Sequence, residues 1–138
     1  MKTKLNFKQS ISAALMAAVS AALTNSVLFF IFQKTAIITD DIFVRPNMPM
    51  TVLPVIIMSI IPTIIAGFIF FLIEKYTNKG MMIFSILSIL ILLLSFSNPF
   101  MMIPGITLSY GLALCFMHIV VFSFLMFFIY RAINKNIV

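Results

Sequence analysis

The sequence predicts an all-α integral membrane protein, four transmembrane helices in an antiparallel bundle that form a single membrane domain over residues 1–138. Three observations carry this. Only 9% of the residues are charged, against about 25% in a soluble domain, too little polar surface to face water on all sides. The mean hydropathy is +1.23. The apolar residues are gathered into four runs without Asp, Glu, Lys or Arg, at 10–32, 50–73, 81–96 and 107–130. A helix of about 20 apolar residues crosses a bilayer. The net charge of +6 does not point to nucleic acid, because the basic residues sit at the span ends, where membrane topology places them. A single cysteine, Cys115, excludes an internal disulfide.

The first span, Ser10 to Phe32, follows a basic head with Lys2, Lys4 and Lys8. Its first half is rich in small residues, and Ala14/Ala18 and Ala17/Ala21 stand four apart. Small residues at that spacing let two membrane helices approach closely. Asn25 continues the stripe one turn beyond Ala21. A cleaved signal peptide is the competing reading, with Ile11 to Leu23 as its apolar core and Val19-Ser20-Ala21 as the cleavage site. The apolar stretch, however, continues to Phe32, which is span length, so residues 1–21 are expected to be retained.

Gln33 to Pro49 is the longest polar connection, and Ile37 to Val44 within it suits a short strand or a surface-lying turn. Asp40 and Asp41, with no further acid or histidine nearby, make a poor metal cage and read as a solvated loop tip. The second span, Met50 to Ile73, contains Pro54 and Pro62. Pro62 is a candidate kink, with Ser59 and Thr63 placed to satisfy a freed carbonyl. Glu74 to Gly80 is a tight connection between antiparallel neighbours. The third span, Met81 to Phe96, is the shortest. Ser97 to Ile106, with two prolines and a glycine, is expected to form a turn. The fourth span, Thr107 to Tyr130, precedes a basic tail with Arg131 and Lys135.

Charge sets the expected orientation. With four spans, Lys2, Lys4, Lys8, Lys75, Lys79, Arg131 and Lys135 share one side, and Lys34 and Arg45 the other. Cytoplasmic loops carry the excess of Lys and Arg, so both termini are expected in the cytoplasm. Tyr76, Tyr110 and Tyr130 fall at span ends and read as interfacial anchors.

The candidate site lies among the polar residues inside the spans. Thr107, Gly111, Cys115 and His118 form one stripe on the fourth helix, the face expected to turn toward the bundle. Gly111 and Cys115 join Ala14, Ala18, Ala21 and Pro62 as candidate packing or kink positions. His118, the only histidine, lies about 16 Å from the start of its span, and Asn25 about 10 Å from the end of its own. If the first and fourth helices are neighbours, the two side chains can meet. The structural reading is an Asn25–His118 hydrogen bond that fixes helix register. The functional reading is a proton-linked or ligand-binding imidazole. The structural reading is favoured, because no acid lies in any span to share a proton relay.

The alanine-rich first span ending A-L-T-N-S-V-L-F-F, the proline-containing second span and the last span with L-A-L-C-F-M-H-I-V-V resemble the family numbered 6069 among the domains of unknown function. Its members are small bacterial integral membrane proteins of four helices, and the resemblance covers essentially the whole chain. Its most specific positions are Asn25 and the Met117-His118 pair. It implies a fold and a membrane location and brings no activity with it.

The chain is therefore expected to be a non-enzymatic packing or interaction protein of the bacterial cytoplasmic membrane, without a cofactor. Its partners would be the lipid bilayer and a second copy or another membrane protein, with no nucleic acid. The alternative is a small transporter or channel subunit using His118. An enzyme is disfavoured because three acids, all in loops or at span ends, supply no acid/base pair in the membrane.

Overall fold

The first helix of the computed structural model begins and ends where the chain supplies hydrogen-bond partners. Residues 4–135 are described; Lys2 of the basic head, the side chain of Lys135 and the terminus at Val138 lie outside them. Helix α1 runs from Phe7 to Lys34. It starts in a capping box, in which Asn6 Oδ1 accepts from the Gln9 backbone N–H and Gln9 Oε1 accepts from the Asn6 N–H, both at 2.9 Å. It ends in a Schellman motif. The N–H of Ala36 donates to the Gln33 carbonyl (3.1 Å) and that of Ile37 to the Phe32 carbonyl (2.9 Å). Ala36 stands where glycine is usual and takes φ 55°.

The connection that follows folds back as a small antiparallel hairpin, β1 (Phe43–Arg45) with β2 (Met48–Pro49). Pro46 and Asn47 turn the chain, and Asn47 at φ 58° takes the left-handed position that a type II turn requires after proline. The strand suggested for residues 37–44 thus forms further along, at 43–49.

Helix α2 spans Val52–Tyr76, α3 Gly80–Met102 and α4 Leu108–Lys135. The Lys4 ammonium donates to the Thr77 carbonyl (3.0 Å) and the Lys75 carbonyl (3.4 Å), a cation placed on the carbonyls at the α2 C-terminus. All four helices are long and apolar enough to cross a membrane. Helix α1 packs on α2 and α4, and α3 packs on α2 and α4 from the opposite side. Where α1 meets α2, the Ala14 methyl occupies the space a Cβ on Gly67 would take.

One apolar cluster joins Ala13, Ala17, Phe70, Phe84, Leu125 and Ile129 toward the chain termini. There Phe70 meets Phe84 edge-on at 5.1 Å. A second cluster lies under the hairpin loop and holds Phe29, Ile38, Ile42, Val55, Tyr110 and Leu114.

Two expectations are corrected, for the Ser97–Ile106 turn and for Tyr110. The turn expected at Ser97–Ile106 is helical as far as Met102, and Pro99 lies inside α3. The missing Pro99 N–H costs one bond to Ser95, while the hydroxyls of Ser95 and Ser97 donate to the Leu92 and Leu94 carbonyls, both at 2.7 Å. The Ile103 N–H then closes the last turn on the Pro99 carbonyl at 3.2 Å. Pro54 lies in the first turn of α2, where an N–H would have no helical acceptor, so it leaves the helix intact. Tyr110 is not an interfacial anchor: it is 0% exposed, because Ile38 and Ile42 fold over it. Tyr76 and Tyr130 are exposed at helix ends.

Candidate functional site

Helix α1 presents small residues to its neighbours until Asn25, and the amide sits where three helices meet. Asn25 is 2% exposed. Its Nδ2 donates to Ser59 Oγ on α2 (3.0 Å) and to the Met117 carbonyl on α4 (3.2 Å). A carbonyl only accepts, so the contact to Met117 fixes which end of the amide is nitrogen. Oδ1 therefore points the other way, and it has no partner among the described residues.

His118 follows Met117 but turns away by one helical step. Its Nδ1 lies 2.7 Å from the Leu114 carbonyl of its own helix. That partner requires the hydrogen on Nδ1, so Nε2 of the neutral ring keeps its lone pair. The direct Asn25–His118 bond expected from matching depths does not form. Depth places both residues in one layer, but each finds a backbone carbonyl closer: Met117 for the amide, Leu114 for the imidazole. Ser59 is the partner that sequence reasoning missed. The available signal was its position about 10 Å into α2, level with Asn25, whereas its nearness to Pro62 points to a freed carbonyl. That carbonyl belongs to Met58. The Thr63 hydroxyl donates instead to the next one, that of Ser59, at 2.7 Å.

Asn25, Ser59 and His118 all line one cavity of about 310 Å³. It is bounded by α2, α4, the end of α3 and the hairpin. Its walls are apolar and rich in methionine, with Met58, Met102 and Met117 among them. Methionine walls adapt to varied shapes. Among the described residues, Arg45 of the hairpin is the one charged residue that lines the cavity, and no carboxylate does. The arrangement offers hydrogen-bond acceptors, a serine hydroxyl and apolar surface, which suits binding. Among the described residues, no three His, Cys, Asp or Glu side chains come together as metal ligands.

The other singled-out positions pack helices. Ala14, Ala18 and Ala21 are 0, 1 and 0% exposed along the α1 seam. Gly111 and Cys115 turn α4 toward α3: the Phe100 ring fills the space a Cβ on Gly111 would need, and Cys115 Sγ lies 3.6 Å from the Phe96 carbonyl. Pro62 sits inside α2 on an exposed face.

The search of curated proteins and that of solved structures each give no match. The family comparison does, over the capping box, all four helices and the polar layer, and the chain belongs to the Family of unknown function (DUF6069), whose family model matches residues 6–135.

Proposed function

We propose that this multi-pass membrane protein works by binding rather than by catalysis, and that its ligand enters the cavity bounded by α2, α3 and α4. The observation that carries the reading is the convergence of Asn25, Ser59 and His118, from three helices, on one cavity of about 310 Å³. A volume near 300 Å³ suits a small molecule. The unpartnered Asn25 Oδ1 and the His118 Nε2 lone pair call for a hydrogen-bond donor. An ammonium would be desolvated there without a counter-charge, beside Arg45. The ligand class is therefore a mainly apolar, uncharged molecule carrying a hydroxyl or amide N–H. The buried Oδ1 becomes reachable when a flexible methionine wall shifts. We place the protein in the bacterial cytoplasmic membrane with both termini cytoplasmic, on the distribution of Lys and Arg. A second copy or another membrane protein would pack on the exposed faces of the bundle.

The test uses 2-naphthol and 2-fluoronaphthalene, which share a shape but not a donor, with binding measured by calorimetry in detergent. The parent is expected to hold 2-naphthol about tenfold more tightly, one good hydrogen bond. Val121→Trp, which fills the cavity from α4, is expected to abolish binding of both. Failure of both probes to bind the parent would reject the cavity as a ligand site. Equal binding of both, lost on Val121→Trp, would keep the site and reject the donor requirement.

The transporter reading rests on the same His118, whose Nε2 is spare. It predicts that His118→Gln in proteoliposomes slows uptake of 2-naphthol by more than its loss of affinity accounts for. An unchanged rate would leave binding alone.

A further inference from the structure

A second cavity, of about 490 Å³, opens between α1 and α4 at the end of the bundle that carries the chain termini. Its lining is graded. Lys8, Gln9 and Arg131 stand at the outer end, Ser12 one turn further in, and Met16 and Phe128 deeper still. Lys8 to Met16 descends about 12 Å along α1, the depth over which a bilayer passes from headgroup to acyl chain. Among the described residues, no carboxylate lines this cavity. Neither Lys8 nor Arg131 has an ion-pair or hydrogen-bond partner among the described residues. The first turn of α1 holds no acid, and its capping box engages the Gln9 N–H, so the start of α1 brings no negative side chain to the two cations. Two unpaired cations at a helix N-terminus, above an apolar slot, match a phosphate with hydrocarbon attached. A soluble phosphate would use the cations and leave Met16 and Phe128 without a role.

We propose that the groove between α1 and α4 is a binding site for an anionic phospholipid, with its phosphate at Lys8 and Arg131 and an acyl chain along Met16 and Phe128. Basic pockets between membrane helices select anionic headgroups by charge, because a zwitterionic lipid offers its phosphate with a compensating ammonium. This site is independent of the first cavity, at the opposite end of the molecule.

The experiment is native mass spectrometry of the full chain in detergent with phosphatidylglycerol or phosphatidylcholine at equal concentration. The parent is expected to retain about tenfold more phosphatidylglycerol. The double variant Lys8→Gln/Arg131→Gln is expected to bring the two lipids to parity. Lys75→Gln/Lys79→Gln removes the same charge from the same end and is expected to keep the preference. Inorganic phosphate at millimolar concentration is expected not to displace the lipid. Equal retention of both lipids by the parent, or an unchanged preference in the first double variant, would overturn the site. An equal loss in the control pair would assign the preference to diffuse charge. Displacement by inorganic phosphate alone would replace the lipid with a soluble anion. A melting curve of each variant confirms that the comparison is between folded proteins.

Discussion

Helices α1 and α3 cross the same bundle and are buried very differently. In their most apolar windows, α1 is 33% buried at a mean hydropathy of 2.0, and α3 is 11% buried at 2.4. The less apolar helix is the more enclosed. Helix α1 buries Ser10, six alanines, Asn25 and Phe29 along its whole length, whereas α3 buries Gly80, Phe84 and Pro99 near its ends. Lipid is as apolar as leucine, so hydropathy does not drive helices together in a membrane; close packing and hydrogen bonds do. Small residues give α1 a backbone-to-backbone seam with α2, and Asn25 adds the polar tie. The Ile- and Leu-rich middle of α3 has no such device and keeps its side chains on the outer surface.

This comparison can be broken at the seam first. Gly67→Val would place side-chain carbon where the Ala14 methyl lies, in a contact backed by main chain on both helices. Overpacking of this kind costs about 1–3 kcal/mol, and we expect the upper part of that range in reversible unfolding from mixed micelles. A loss below about 0.5 kcal/mol, the scale of a neutral surface change, would show that the seam is loose.

Asn25→Leu removes bonds to Ser59 and to the Met117 carbonyl, and a loss of about 1–2 kcal/mol is expected from interhelical polar contacts in bilayers. His118→Leu sharpens this, because the imidazole bonds its own helix and ties nothing across the bundle. A change within about 0.5 kcal/mol is expected in the same assay. A loss as large as that of Asn25→Leu would mean that the histidine holds the fold.

Gly111→Ala is the α4–α3 counterpart of the Gly67 change. Its new methyl meets the ring edge of Phe100, itself 42% exposed and free to rotate outward. The expected cost is under about 1 kcal/mol, at the low end of overpacking. The smallest effect belongs to Leu94→Ala on α3, at a side chain 73% exposed. It is expected to fall within about 0.5 kcal/mol of the parent. A larger loss would reveal packing of α3 against something outside this chain.

Much of the bundle was legible in one dimension. Four uncharged runs announce four helices, because every backbone group in lipid must be bonded within its own segment. The stripe Ala14, Ala18, Ala21 and Asn25 announced the inner face of α1, since small side chains are useful only where another helix comes close. Of two local signals at helix ends, the fold keeps the first and overrides the second. Asn6 and Gln9 stand three apart as a capping box does, and Pro99 looked like a helix end. In α3, Pro99 forfeits only the bond to Ser95, and in lipid the rest of the backbone has no partner but the helix itself, so the helix continues past it.

Pairing across helices was not legible. Residues 25, 59 and 117 are separated by dozens of positions, and spacing within one helix says nothing about which neighbour it meets. Equal depth made His118 a natural partner for Asn25. A rotation of one residue about the α4 axis gave that place to the Met117 carbonyl instead.

The sequence by itself determined the four helices, their alternation across the bilayer and the small-residue face of α1, because these follow from local composition and from the cost of unbonded backbone in lipid. Only the tertiary structure decided that Asn25 joins Ser59 and Met117, that Tyr110 lies under the loop, and that cavities open between α2, α3 and α4 and between α1 and α4. Those depend on helix rotation and on side chains far apart in the chain, which become neighbours only when the bundle closes.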